Sequence, residues 1–266
     1  MRWLWIILFA ITTPAIAQIP ASVMQNMQKA ASIPNAAAPP SNFNATMWQD
    51  FEFGTVSTGN LDAHDHTSSG SWTLSDGAGN FSTSTSGQFT SLSTINSTTD
   101  TGTNGLAYNY TAGSASYLYW NGAWGSAAGS LGFWYKIPTF TGNFGAFDFA
   151  SVWSGSRTIS LDIKRVSGVV TVYLSSDSDG ATSSALTEGN WYYFTMLFQR
   201  SATCSCNIYT SSGTAIATQP ASVTGRAQDA NLAIVGVVNG TPPAQAVTAY
   251  YDNFVADSSA TFPLGP

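Results

Sequence analysis

Residues 189–217 read GNWYYFTMLFQRSATCSCNIYTSSGTAIA, and the fold follows from how this stretch alternates. In an extended chain successive side chains point to opposite faces. Trp191, Tyr193, Thr195, Leu197 and Gln199 then share one face, and Tyr192, Phe194, Met196, Phe198 and Arg200 share the other. Both faces are largely apolar, which predicts a strand covered on both sides. A polar turn at Arg200-Ser201-Ala202-Thr203 leads into a second run that puts Cys204, Cys206 and Ile208 on one face and Ser205, Asn207 and Tyr209 on the other. Ser211-Ser212-Gly213 is a further turn signal. A two-sided strand beside a one-sided strand is what a sandwich of two sheets requires.

Outward from this hairpin, short strand candidates recur at 48–53, 72–74, 88–92, 105–110, 116–120, 128–136, 146–153, 158–165, 169–175, 191–200, 204–209, 232–238 and 249–256. Clusters of Gly, Asn, Asp and Ser separate them, and helical periodicity is nearly absent. This pattern predicts one all-β domain over 47–262, a two-sheet antiparallel jelly-roll sandwich, followed by a tail at 263–266. The runs 159–163 and 170–174 pair as a hairpin through Lys164-Arg165-Val166-Ser167-Gly168.

The segment before the domain has a different character. Met1-Arg2 is a short positive region, residues 3–11 are apolar, and Ala15-Ile16-Ala17 is a small-x-small cleavage site, so 1–17 read as a signal peptide. The apolar run is too short to span a bilayer. Residues 18–46, rich in Ala, Pro, Asn, Gln and Ser, read as a flexible linker. The expectation is export to a secreted, periplasmic or extracellular location, with no membrane span.

Only 8% of residues are charged, against about 25% in an average domain. A net charge of −6 with eight Lys and Arg argues against nucleic acid and anionic membrane surfaces, which need clustered positive charge. The two cysteines, Cys204 and Cys206, would lie about 6–7 Å apart along one face of a strand, beyond easy bridging distance. Two small buried thiols are the favoured reading, with a strained local disulfide or an intermolecular bridge as alternatives.

Several segments carry a family resemblance. Leu131-Gly132-Phe133-Trp134-Tyr135-Lys136-Ile137-Pro138, Gly189-Asn190-Trp191-Tyr192-Tyr193-Phe194-Thr195, and the hairpin Cys206-Asn207-Ile208-Tyr209-Thr210-Ser211-Ser212-Gly213 resemble strands of concanavalin A-like lectin/glucanase domains, in particular the laminin G-like branch. Tyr250-Tyr251-Asp252-Asn253-Phe254 resembles the closing strand of that branch, and Asp50-Phe51-Glu52 the opening of many secreted jelly-roll modules. Two departures stand out: Tyr192 and Tyr193 replace a pair of His, and Ser212 replaces the hairpin Asp. The resemblance implies a sandwich fold and a carbohydrate- or surface-binding role. It also implies that first and last strands lie side by side, often with a structural Ca²⁺ between them that Glu52 and Asp252 would hold; two edge carboxylates bonded to backbone N–H groups are the alternative.

The residues themselves say less about chemistry. Glycoside hydrolysis needs two positioned carboxylates. The Glu-x-Asp-x-x-Glu run typical of enzymes of this fold is absent, and the chain after residue 17 has only two glutamates, Glu52 and Glu188. Asp148 and Asp162 stand singly on separate strands and read as structural. The enzyme reading, a divergent polysaccharide-active hydrolase or lyase, is therefore the alternative rather than the expectation, and an envelope or matrix protein with no small ligand is a further one. His64-Asp65-His66 with Asp62 fits exposed polar residues better than a metal site. Asp177-Ser178-Asp179-Gly180 begins like a Ca²⁺ loop but lacks the later Glu. Sugar binding is the remaining candidate. Trp120, Asn121, Trp124 and Trp153 lie at strand ends or in Gly-rich loops, where aromatic rings are harder to assign to a core. Trp134 and Trp191 are core by their pattern.

Overall fold

The computed structural model describes residues 47–49, 71–75, 81–84, 105–110, 116–153, 157–237 and 247–257, all within the compact unit Ala36–Pro266. These residues form fourteen strands and, among the described residues, no helix. In chain order the strands are β1 (Met47–Gln49), β2 (Ser71–Ser75), β3 (Phe81–Ser84), β4 (Gly105–Tyr110), β5 (Ser116–Ser126), β6 (Ala128–Lys136) and β7 (Phe144–Trp153). Then follow β8 (Arg157–Val166), β9 (Val169–Ser175), β10 (Trp191–Gln199), β11 (Thr203–Thr210), β12 (Val223–Thr224), β13 (Ala230–Val237) and β14 (Val247–Asp257).

Every pairing is antiparallel, and the strands divide into two sheets. The eight-stranded sheet runs β12-β11-β10-β6-β14-β4-β3, with β1 also against β14; the six-stranded sheet runs β2-β5-β13-β7-β8-β9. The chain passes repeatedly from one sheet to the other, so most neighbours are distant in sequence. The all-β, two-sheet antiparallel sandwich expected from the alternation is what forms. The first and last strands do lie side by side, with Gln49 opposite Phe254 and Met47 opposite Ala256.

The hairpin at the centre of the sequence reading is β10–β11, paired from Tyr192↔Thr210 to Leu197↔Ser205. Its other edge meets β6 from Trp191↔Lys136 to Gln199↔Ala128. Tyr192, Phe194, Met196 and Phe198 enter the inter-sheet core together with Cys204, Cys206 and Ile208, as the alternation required. Both cysteines are free and buried. The opposite face of β10 is covered as well: Trp134 and Tyr193 form a separate buried cluster with ring centroids 5.1 Å apart, flanked by the partly buried Trp191 and Tyr209. Trp134 and Trp191 therefore lie on the outer face of the eight-stranded sheet, not in the inter-sheet core. Period-two alternation separates two faces but does not say which one meets the other sheet.

Aromatic rings fill the inter-sheet space. Phe133 packs at 5.7 Å from Phe194 and 5.5 Å from Phe254 within its own sheet, and at 6.1 Å from Phe149 of the other sheet. Tyr135 stacks on Phe149 at 4.6 Å. Burying each such ring is worth about 1.5–3 kcal/mol. A polar contact crosses this core, the Tyr251 hydroxyl donating to the Phe149 carbonyl at 2.8 Å. At the sheet margin, the Gln219 carboxamide accepts from the Ile208 N–H at 2.6 Å and donates to its carbonyl at 2.9 Å, satisfying backbone at the flank of β11.

The β8–β9 turn is tighter than the sequence implied. The ladder continues to Val166↔Val169, leaving Ser167 and Gly168, both at positive φ (52° and 79°), as the two turn residues. Two positive φ values in a row define the hairpin turn that matches strand twist. Strands β3 and β12 were not foreseen: FSTS has one apolar residue, and VT is too short to show a period. The expected strand at 88–92 lies outside the described residues.

Candidate functional site

The six-stranded sheet has one face in the core and one turned away from it, and on β8 and β9 the outward face is largely polar. On β8, Ile159, Leu161 and Ile163 enter the core, which leaves Thr158, Ser160, Asp162 and Lys164 on the outer face. On β9, Val170, Val172 and Leu174 go inward, and Thr171, Tyr173 and Ser175 outward. On β7 a register shift between Asp148 and Ala150 changes the phase. Phe147, Phe149, Ala150 and Val152 all reach the core, and Asp148, Ser151 and Trp153 all fall outward.

Register then assembles rows across the strands. Ile234, Ser151, Ser160 and Ser175 make one row, and Asp148, Asp162 and Tyr173 the next. Asp148 and Asp162 are directly opposite each other. Side chains so placed have Cβ atoms about 4.5–5.5 Å apart. Both are buried, at 1% and 6% exposure, although neither points between the sheets. Ser160 donates to Asp162 Oδ1 at 2.5 Å. The Trp153 indole N–H donates to the Ser151 hydroxyl at 3.0 Å. Lys164 holds its ammonium 5.1 Å from the centre of the Tyr173 ring. The result is a face of serines and two opposed carboxylates, with Trp153 near one end and a Lys–Tyr pair near the other.

The site residues expected from sequence fall as follows. Trp153 is half-buried and belongs to this face. Asn121 of β5 lies in the same row as Leu232 and Trp153. Trp120 lies in the row of Ala233 and Val152, which are core residues. Trp124 lies on β5 between Asn121 and Ser126, where the pairing with β13 shifts register. For these three β5 residues only the strand position is described. Asp252 is fully buried on β14, opposite Trp134 and beside another register shift. Glu52 lies outside the described residues, as do His64 and His66.

The Asp148–Asp162 pair was missed in the sequence, where each carboxylate was read alone. The Ser154-Gly155-Ser156 signal between the two strand runs suggests that they pair, but continuing the Ser151↔Ser160 register would set residue 148 opposite 163, and the shift between Asp148 and Ala150 sets it opposite Asp162. The β-bulge at Phe149 was not legible.

Elsewhere, at the end of the eight-stranded sheet, a cleft of about 430 Å³ opens between the end of β6 and the start of β14, with Lys136, Thr139, Gly189, Thr248 and Tyr250 among its walls. A smaller polar recess of about 280 Å³ lies by Asp179 and Thr224. Asp177, read as part of a possible Ca²⁺ loop, is ion-paired to Arg226 at 2.7 Å.

A scan against protein-family models finds no match, and a search of curated proteins returns none. Among solved structures the chain is similar to the binding domain of botulinum neurotoxin serotype C1 (9% identity, TM-score 0.44, covering 79% of this chain and 50% of that one). It is also similar to the serotype D binding domain (13%, 0.41, 79% and 49%). A third is the neurotoxin DC binding domain in complex with SialylT (8%, 0.44, 74% and 45%). The chain spans half or less of the length of these structures.

Proposed function

We propose that this chain is an exported, non-catalytic carbohydrate- or surface-binding module of the laminin G-like jelly-roll type, and that its ligand face is the outer face of the six-stranded sheet. The supporting observation is the composition of that face. A sheet face turned away from the core carries Trp153, Ser151, Ser160, Asp148, Asp162, Tyr173 and Lys164, of which Trp153 and Lys164 are partly exposed and the others buried. Sugars present hydroxyls and apolar C–H faces together, and such sites combine aromatic platforms with a few placed polar groups. Asn121 shares the row of Trp153 and joins the proposed ligand set, with Trp124 further along the same strand; Trp120, whose row is that of the core residues Ala233 and Val152, is not part of that face. A structural Ca²⁺ at Glu52 and Asp252 is part of the proposal. Asp252 contributes a buried carboxylate on the strand that pairs with β1, and a hard cation that takes six to eight oxygens would draw the rest from backbone and neighbouring side chains.

The test is a glycan array or polysaccharide pull-down with wild type, Trp153→Ala and Trp124→Ala. Binding by wild type that is weakened at least tenfold in Trp153→Ala supports the reading; wild type that retains no glycan removes its basis. One observation favours a second reading. Asp148 and Asp162 face each other at the cross-strand spacing of about 4.5–5.5 Å. Retaining glycosidases likewise work through two carboxyl groups held close together. Release of reducing sugar by wild type, abolished in both Asp148→Asn and Asp162→Asn, would establish that reading in place of the first.

A further inference from the structure

We propose that the cleft between the end of β6 and the start of β14 is a second binding site, one that takes an anionic sugar unit. Lys136 and Tyr250 are directly opposite across this strand pair, and the Lys136 ammonium lies 5.6 Å from the centre of the Tyr250 ring. A cation over an aromatic face is held electrostatically without being neutralised.

The charges around it leave this lysine, like Lys164 over Tyr173 on the other sheet, without an acid partner among the described residues. The protein carries a net charge of −6. Arg165, Arg200 and Arg226 each have a carboxylate oxygen at 2.7 Å. Lys136 has no such partner among the described residues. Glu188, the residue before Gly189 of the cleft wall, is already committed. One of its oxygens accepts from Arg165 Nε at 2.7 Å and the other from the Phe140 N–H at 3.2 Å. Asp252, one step along the outer row from Tyr250, is fully buried against the Trp134 position.

The rest of the cleft suits a sugar rather than a bare anion. Its volume of about 430 Å³ lies within the range of small-molecule sites, about 300–1,000 Å³. An inorganic anion on Lys136 would leave most of that space without contacts. Thr139 and Thr248 offer hydroxyls, Tyr250 and Pro138 offer apolar surface, and Gly189 adds no side chain to the wall. A hexuronate or a sulfated hexose would place its negative group on the ammonium, its hydroxyls on the threonines and its C–H face along the ring. This site is on the other sheet from the face containing Trp153, so the two fail independently.

The experiment is calorimetric titration of the full chain with polygalacturonate, dextran sulfate and fully methyl-esterified polygalacturonate. The expected result is binding to one or both anionic polymers, weakening as salt rises, and none to the neutral ester. The response to polygalacturonate against dextran sulfate tells carboxylate from sulfate. Loss of a charge-assisted hydrogen bond in Lys136→Met or Lys136→Gln should weaken binding by about 10-fold or more. Tyr250→Ala should also weaken it, Tyr250→Phe should keep the ring and the affinity, and Trp153→Ala should leave it unchanged. Unchanged melting temperatures in the Lys136 variants establish that the fold is intact. The proposal is overturned if neither anionic polymer binds, if the neutral ester binds equally well, or if folded Lys136→Gln binds like wild type.

Discussion

Replacing Tyr251 by Phe should destabilise the protein by about 1–3 kcal/mol, the cost of leaving one buried polar group without its partner. The hydroxyl donates across the core to the Phe149 carbonyl at 2.8 Å, joining β14 of one sheet to β7 of the other. That carbonyl is available because Phe149 is the extra residue of the β7–β8 irregularity, with no partner of its own on β8. The substitution leaves the ring in place, so the contacts of Tyr251 with Tyr135 at 4.8 Å and with Phe133 at 6.0 Å should survive. The loss is therefore the hydrogen bond and the stranded acceptor, with little cavity contribution. A domain of this size shifts its Tm by about 2–4 °C per kcal/mol, so a fall of about 2–12 °C is expected. Urea unfolding followed by tryptophan fluorescence should show a lower midpoint at unchanged m-value. A change smaller than about 0.5 kcal/mol, within the scatter of neutral surface substitutions, would refute the claim that this bond holds the bulge and ties the sheets together.

Other outcomes follow from the same structure. Gly225→Ala would place a methyl group 2.2 Å from the Gln199 carbonyl oxygen and 2.7 Å from Cys204 Sγ. It should cost about 3 kcal/mol or more, whereas Gly142→Ala, with nothing within 4 Å of its added carbon, should stay within about 0.5 kcal/mol of wild type by denaturant titration. Burial raises the thiol pKa of both Cys204 and Cys206, with backbone N–H groups of Gln199 and Gly225 partly offsetting it at Cys204. The folded protein then keeps its protons where the unfolded chain has lost them. Stability should be full below the unfolded thiol pKa of about 8.5 and fall as pH rises through it; urea midpoints measured from pH 7 to 10 that do not decline would contradict this. The same burial predicts that Ellman's reagent labels neither cysteine until denaturant is added. If Glu52 and Asp252 hold Ca²⁺, EDTA should lower the melting midpoint and added Ca²⁺ restore it, and an unchanged melt would end the proposal.

What the sequence determined by itself is the layering. The two-residue period of 191–209 assigned each side chain of the central hairpin to its correct face, and regular turn signals placed β4, β6 and β9 at their observed bounds. These features are local: they depend on pleat geometry and turn chemistry, which neighbouring residues carry. The sequence also supplied both carboxylates of the outer face, Asp148 and Asp162, but as separate residues. Only the tertiary structure decided that they oppose each other, because a bulge at Phe149 resets the phase of β7, and the carbonyl of that bulged residue accepts a hydrogen bond from Tyr251, 102 positions away. It alone decided that Trp134 covers the outside of the eight-stranded sheet rather than the core. And it alone brought Lys136 opposite Tyr250, since pairing between strands more than a hundred residues apart is set by packing of the whole sandwich and leaves no mark on either strand.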